Sequence, residues 1–485
     1  MMSTRPWAAV FLLIVVGAPV SGFAADDVTA LRAEIEALKA DYANKVASLE
    51  SRISQLEAAS ARAPAEIGSP ATEIGSPSLA AQPAPAAPMP SFAAPESPAS
   101  GGARGGQSAF NPAISMILAG NYAHLSEDPS TYRIAGFIPS GDVGPGARSF
   151  NLGESELTVA ANVDPYFFAN VTASITSQNE ISVEEAYFRT LALRDGATLK
   201  GGRFFSGLGY LNEIHAHAWD FVDQPLVYQA FFGNQLTQDG LQAKWLAPTD
   251  TFIELGAELG NGGAFPGTHR NRNGFSATTL FTHIGGDIGD STSWRTGLSW
   301  LNDKAEDRTY DDTDALGVPI TNAFTGTSRT WGVDAILKWA PHGDSVNRQL
   351  KLQGEYFHRT EDGQLAFDTT DANIVGDYRS GQSGWYVQSV YLFRPRWRVG
   401  LRYDSMESGN PLIGSVASGL IERSAFPALL SNSPDRVTVM LDWSPSEFTR
   451  LRVQYALDEA RLDQRDRQFL IQYLYGIGAH GAHKF

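Results

Sequence analysis

From Phe110 to the end of the chain, segments of roughly eight to twelve residues alternate apolar and polar positions, each bounded by turn residues. Val399, Leu401 and Tyr403 share one face, with Arg398, Arg402 and Asp404 on the other. Leu451, Val453, Tyr455 and Leu457 oppose Arg450, Arg452 and Gln454, and Leu350, Leu352 and Tyr356 oppose Lys351, Gln353 and Glu355. Trp331, Val333, Ala335, Leu337 and Trp339 oppose Asp334 and Lys338. Period two with charges on the non-apolar face marks a strand wetted on one side. A soluble sandwich also gives that pattern, so the connections decide. Short turns fall at 163–165, 194–196, 247–250, 285–291, 340–347, 394–396 and 444–446, and longer connections lie between them at about 123–150, 206–236, 261–273, 302–329, 359–383, 406–434 and 458–466. Only the connection near 177–180 is short where a long one is due. Alternating short turns and long loops describe a transmembrane antiparallel β-barrel. Trp245, Trp339 and Trp443 each stand just before an Ala-Pro or Ser-Pro at a short turn, which puts three indoles at one depth, as an interfacial aromatic belt requires. Counting predicts an all-β barrel of about 16 strands over 109–485, with both of its ends on the short-turn side.

The remainder of the chain fits an exported protein. Over 1–24, Arg5, the apolar run Ala8 to Val16 and Gly22-Phe23-Ala24 read as a signal peptide, its run too short to span a bilayer. Residues 26–62 carry Leu31, Ile35, Leu38, Tyr42, Leu49, Ile53 and Leu56 at three- and four-residue steps, which predicts a short self-associating coiled coil. An Ala/Pro/Ser/Gly-rich stretch over 63–108, with EIGSP twice, is expected to be an extended linker. A net charge of −16 argues against a nucleic-acid partner. The absence of cysteine removes disulfides and thiolate metal sites. No G-x-S-x-G elbow or P-loop points to an enzyme, and the sequence implies no cofactor.

One connection is unlike the others. Residues 206–236 hold Tyr210, Trp219, Phe221, Tyr228, Phe231 and Phe232 beside Glu213, His215, His217, Asp220 and Asp223. A loop in solvent does not normally carry that much aromatic surface, so it is expected to fold into the lumen between the fifth and sixth strands. By alternation, Arg203, Lys244, Lys338, Lys351, Arg398, Arg402, Arg450 and Arg452 face the lumen, opposed by Glu254, Glu258, Asp334 and Glu355. The later arginines against Glu213, Asp220 and Asp223 would set a transverse field, so the candidate constriction is these three acids with His215, His217, Arg203, Arg398, Arg402, Arg450 and Arg452. The spacing of His215 and His217 could also offer two imidazoles to zinc, with His480 and His483 at the tail. Asp128, Asp311, Asp312 and Asp314 are read as loop carboxylates.

The terminal Phe485, the strand count and the inward third loop resemble the Gram-negative outer-membrane porins. The N-terminal helix, the linker and the stretch GRFFSGLGYLNE look like the phosphate-selective and related substrate-specific porins. HAWDFVDQPLVYQAF and GAHGAHKF resemble a group of proteobacterial outer-membrane proteins. TonB-dependent receptors are excluded, because about 375 residues leave no room for a plug and about twenty-two strands. The resemblance implies a trimer in outer-membrane lipid that passes small hydrophilic solutes or ions. Two alternatives accompany it: a specific uptake channel for zinc or a metal chelate, and an envelope tether whose coiled coil binds peptidoglycan or a periplasmic partner.

Overall fold

The computed structural model describes residues 112–478 apart from 142, 177–179 and 269–272. The signal peptide, the coiled coil over 26–62, the linker and the tail with His480, His483 and Phe485 lie outside the described residues. Among the described residues, eighteen runs of strand join in one sheet. Ser149–Leu152 and Ser155–Asn162 are halves of one strand, since both pair with Ala113–Leu125. Leu412–Ile413 adds only a two-residue pairing to a strand already in the wall. Setting aside one half-strand and that short pairing, 18 − 2 leaves sixteen wall strands.

In chain order these are β1 (Ala113–Leu125), β2 (Ser149–Leu152 with Ser155–Asn162), β3 (Phe167–Ile175), β4 (Ile181–Thr190), β5 (Ala197–Phe205), β6 (Thr237–Leu246), β7 (Phe252–Gly260) and β8 (Ala277–Ile288). They continue as β9 (Thr292–Thr313), β10 (Pro319–Trp339), β11 (Gln349–Phe367), β12 (Ile374–Arg394), β13 (Trp397–Glu407), β14 (Asp435–Ser446), β15 (Thr449–Asp458) and β16 (Asp466–Gly478). Each pairs antiparallel with its neighbours in sequence, and β16 closes on β1 in the register Ser115↔Gly478 to Leu125↔Gln468. Closure leaves no exposed strand edge, which a sheet in lipid cannot tolerate.

The faces divide as the alternation predicts. Val399, Leu401, Tyr403, Trp331, Val333, Leu352 and Tyr455 are exposed on the outside of the barrel, whereas Arg402, Asp404, Asp334, Gln353, Glu355, Arg452 and Gln454 are buried inside. Trp245, Trp339 and Trp443 all stand on the outer face beside short turns, and Trp397 stacks on Trp443 with ring centroids 5.7 Å apart. Seven of the connections are the short turns of that rim. At the other rim lie 126–148, 206–236 and 408–434, with smaller connections between them.

Two of the expected long loops are not loops. The strands β9 and β10 run for 22 and 21 residues to a turn at 314–318, and β11 and β12 run for 19 and 21 residues to a turn at 368–373. Period two persists there, but the outward positions become polar (Lys304, Thr309 and Asp311), so the apolar face that marks a strand disappears. Asp311 and Asp312 are therefore strand residues. Asp312 faces inward and accepts from Arg133 at 3.2 Å and from the Ala428 amide at 3.1 Å.

Candidate functional site: the lumen and its inserted loop

The connection between β5 and β6 enters the barrel, and no residue from 206 to 236 is exposed. Its neck is closed by Asn212, whose amide donates to the carbonyls of Ser206 (2.8 Å) and Leu236 (2.9 Å) while its oxygen accepts from the Leu236 amide at 2.7 Å. Two buried wall carboxylates hold the first turn. Glu258 accepts from Ser206 Oγ (2.6 Å) and the Gly207 amide (2.8 Å), and Glu355 accepts from the amides of Tyr210 (2.9 Å) and Leu211 (3.1 Å) and from the Tyr228 hydroxyl (2.9 Å). Gly209 has φ of 69°, and a Cβ there would collide with Glu355 and the Tyr228 hydroxyl, so this turn requires glycine.

The loop then forms a short helix, α1 (Leu226–Phe232), every residue of which is buried and which ends on left-handed Gly233. Leu226, Val227, Tyr228, Phe231 and Phe232 pack with Phe357, Tyr386 and Met406 of the wall and with Ile134 and Phe137 of the 126–148 connection. Each aromatic ring so buried removes about 150–250 Å² from water. Phe426 and Leu429 of 408–434 cover the next layer outward with Ile138.

Around this apolar centre the loop's charges are sorted by sign. Asp220 accepts from Arg398 at 3.2 Å and pairs with Lys351. Asp223 accepts from Arg402 (2.9 Å), Arg436 (2.7 Å) and Gln454 (2.9 Å). Burial pushes both carboxyls up, but the cations outweigh it: Lys351 and Arg398 hold Asp220 far below its usual range, and Arg436 and Arg402 bring Asp223 down to about 2. The loop backbone meets the same arc of arginines. Arg450 donates to the His217 carbonyl at 3.2 Å and Arg452 to the Trp219 carbonyl at 2.6 Å.

The histidines face acids instead. Nδ1 of His215 lies 3.1 Å from Glu184 Oε2 and 3.5 Å from Glu156 Oε2, and its Nε2 lies 3.1 Å from Glu185 Oε2. His217 Nδ1 lies 2.9 Å from Glu156, and the two imidazoles stack at 5.8 Å. Burial alone would lower the His215 pKa, but hydrogen bonds to Glu184 and Glu185 and the charge of Glu156 hold it well above the usual imidazole range. Consecutive glutamates reach the same face because β4 is irregular there: Thr172 pairs with Glu185 and Ala173 with Val183, so Glu184 is the extra residue of a bulge. Among the described residues, the ligand atoms of Glu156, Glu184 and His215 all lie within 4.8 Å of one another.

Two expectations need correction. Arg203 is not in the lumen. It has the same parity as outward Leu199, pairs with Asp239 at 2.6 Å on the outer face, and reaches the Val183 carbonyl; Lys200, one position off, is the inward cation of β5. Glu213 lies in the lumen but not against the arginines. It pairs with Lys244 at 2.9 Å, and although burial pushes its carboxyl up, Lys244 and Lys200 bring it down to about 2. Arg398, Arg402, Arg450 and Arg452 do meet the loop as alternation predicts. Arg436 was missed, although it shares the inward parity of Asp442 along β14. The grouping of Glu156, Glu184 and Glu185 on His215 depends on a three-strand register and a bulge that period two does not reveal.

No known family profile matches the chain. A protein of Aquifex aeolicus (strain VF5) described as uncharacterized is 30% identical over 411 residues, covering 78% of this chain and 81% of that protein. Among solved structures, the trimer form of OmpT, an outer membrane protein of Vibrio cholerae, aligns over 76% of this chain and 99% of its own at a TM-score of 0.46 and 10% identity. An anion-selective porin from Comamonas acidovorans aligns over the same 76% and 99% at 0.45 and 8%.

Proposed function

We propose that this chain, which belongs to one family with the uncharacterized Aquifex aeolicus protein, is an outer-membrane channel for small hydrophilic solutes or ions, constricted by the loop 206–236. The observation that carries this reading is the inversion of a soluble protein's faces. Exposed Leu, Val and Trp cover the outside, while Arg402, Arg436, Arg452, Asp404 and Asp442 are buried inside. A barrel that only anchored a tether would need the apolar outside but not a charge-lined interior. Glu213, His215, His217, Asp220 and Asp223, with Arg398, Arg402, Arg450 and Arg452, form the constriction. Each is engaged in a loop-to-wall contact, so the same charges that would select ions also hold the loop in place.

The barrel is expected to lie in outer-membrane lipid with the short turns in the periplasm and to associate in threes, as sixteen-stranded porins do. Planar-bilayer recording tests the reading. Purified chain should give discrete current steps, and deleting 212–224 should enlarge them. If neither protein conducts after insertion, the channel reading fails.

A further inference from the structure

We propose that Glu156, Glu184 and His215 form a binding site for a divalent transition-metal ion, which ties the inserted loop to strands β2 and β4. A tetrahedral ion with bonds of about 2.0–2.1 Å sets its ligands roughly 3.3–3.4 Å apart. The Nδ1 contacts of 3.1 Å to Glu184 and 3.5 Å to Glu156 straddle that edge length, and the ligand atoms of all three residues already lie within 4.8 Å of one another. One imidazole nitrogen with two carboxylate oxygens is a donor set suited to zinc and its first-row neighbours.

The surroundings are those of a ligand shell rather than of a simple ion pair. Glu185 Oε2 lies 3.1 Å from His215 Nε2, so it would accept that N–H and leave Nδ1 as the donor toward the ion. His217 Nδ1, 2.9 Å from both oxygens of Glu156, would orient the second ligand. Ser174, the direct cross-strand partner of Glu156, is 1% exposed and its hydroxyl lies against the Glu154 carboxyl, which also meets Glu184, so a further carboxylate borders the same cluster. The bulge in β4 brings both Glu184 and Glu185 to the lumen, one for each nitrogen of His215.

The site goes beyond the channel reading and does not depend on it, since binding is measured on protein in detergent and conductance in bilayers.

The test uses the full chain without an affinity tag, folded in detergent, stripped by chelator and titrated calorimetrically with zinc. One zinc per chain is expected, and cobalt in place of zinc should give the visible absorption of a tetrahedral site. Glu156→Gln or Glu184→Gln should weaken binding at least tenfold. Glu185→Gln, which keeps all three ligands, should weaken it about 10- to 100-fold at unchanged stoichiometry. His342→Ala, and removal of His480 and His483, should change nothing. Absence of stoichiometric binding, or binding unaffected by Glu156→Gln combined with Glu184→Gln, would overturn the proposal.

Discussion

Replacing Asp223 by Asn tests what holds the loop in the lumen. The carboxylate accepts from Arg402, Arg436 and Gln454 at 2.9, 2.7 and 2.9 Å, inside a barrel where both arginine side chains are at most 2% exposed. Asparagine keeps the size and one acceptor but lacks the charge. Arg402 and Gln454 meet Oδ1 and Arg436 meets Oδ2, so the amide nitrogen replaces one of these acceptors and a hydrogen bond to a charged group is lost outright, at about 2–3 kcal/mol. The loss is not larger because Asp404 also pairs with Arg402 (3.0 Å) and Arg436 (3.4 Å), so neither cation is stranded. At about 1.4 kcal/mol per factor of ten, the ratio of open to closed loop should rise about 30- to 150-fold. Single-channel recording of wild type and D223N at one salt concentration reads this as time spent at a higher conductance level, with a shift toward anions. Acid should act in the same direction. The folded carboxyl lies at about 2, below its unfolded value, so its contribution is complete above about pH 4 and is lost as pH falls toward 2. A folded variant with wild-type open time and ion preference would refute the reasoning.

Other outcomes follow from the same contacts. Leu316, 88% exposed at the tip of the β9–β10 hairpin, should be labelled as cysteine on intact cells, while Val346, 71% exposed at the opposite rim, should not; the reverse pattern would invert the topology. Gly209→Leu should force the first turn of the loop off Glu355 and raise conductance, which an unchanged channel would disprove. Arg203→Ala should leave conductance and selectivity at wild type, because that side chain pairs with Asp239 outside the barrel; a selectivity change would return it to the lumen. A chain that sediments as a monomer in mild detergent would end the expectation of a trimer.

The wall was legible because lipid on one side and water on the other impose opposite demands on alternate residues. Arg402 and Leu401, or Arg452 and Leu451, differ by one position and lie on opposite sides of the barrel. The same rule failed at Arg203, where three glycine or small positions blur the face, and only Leu199 and Leu241 outside, with Lys200 inside, fix the parity. It also failed over 302–329 and 359–383, since strands that extend past the apolar band turn polar on the outer face, while Ala305, Tyr310, Phe324, Leu365 and Tyr378 stand inward. The loop's inward fold could be read from its aromatic content and its meeting with Arg398, Arg402, Arg450 and Arg452 from alternation, but the partners of its histidines could not. Glu156, Glu184 and Glu185 precede His215 by 30 residues or more, and only strand register brings them together.

The sorting of charge along the loop bears on why it seats in one way. Buried ion pairs give little net stability, since desolvation offsets most of the Coulomb attraction, but a misplaced pair is strongly penalised. Here Lys244 meets Glu213, the glutamates of β2 and β4 meet His215 and His217, and the cations of β11, β13 and β14 meet Asp220 and Asp223, in the order of the chain. Shifting the loop by one contact would set histidines on arginines or aspartates on glutamates. The apolar helix α1 favours burial in any orientation, whereas the charges admit one. Loss of a single pair should therefore loosen the loop locally, while exchange of Asp220 and Asp223 for lysine should expel it. The comparison of D223N with the double lysine variant separates these: a graded rise in open time for the first and a permanently wide pore for the second.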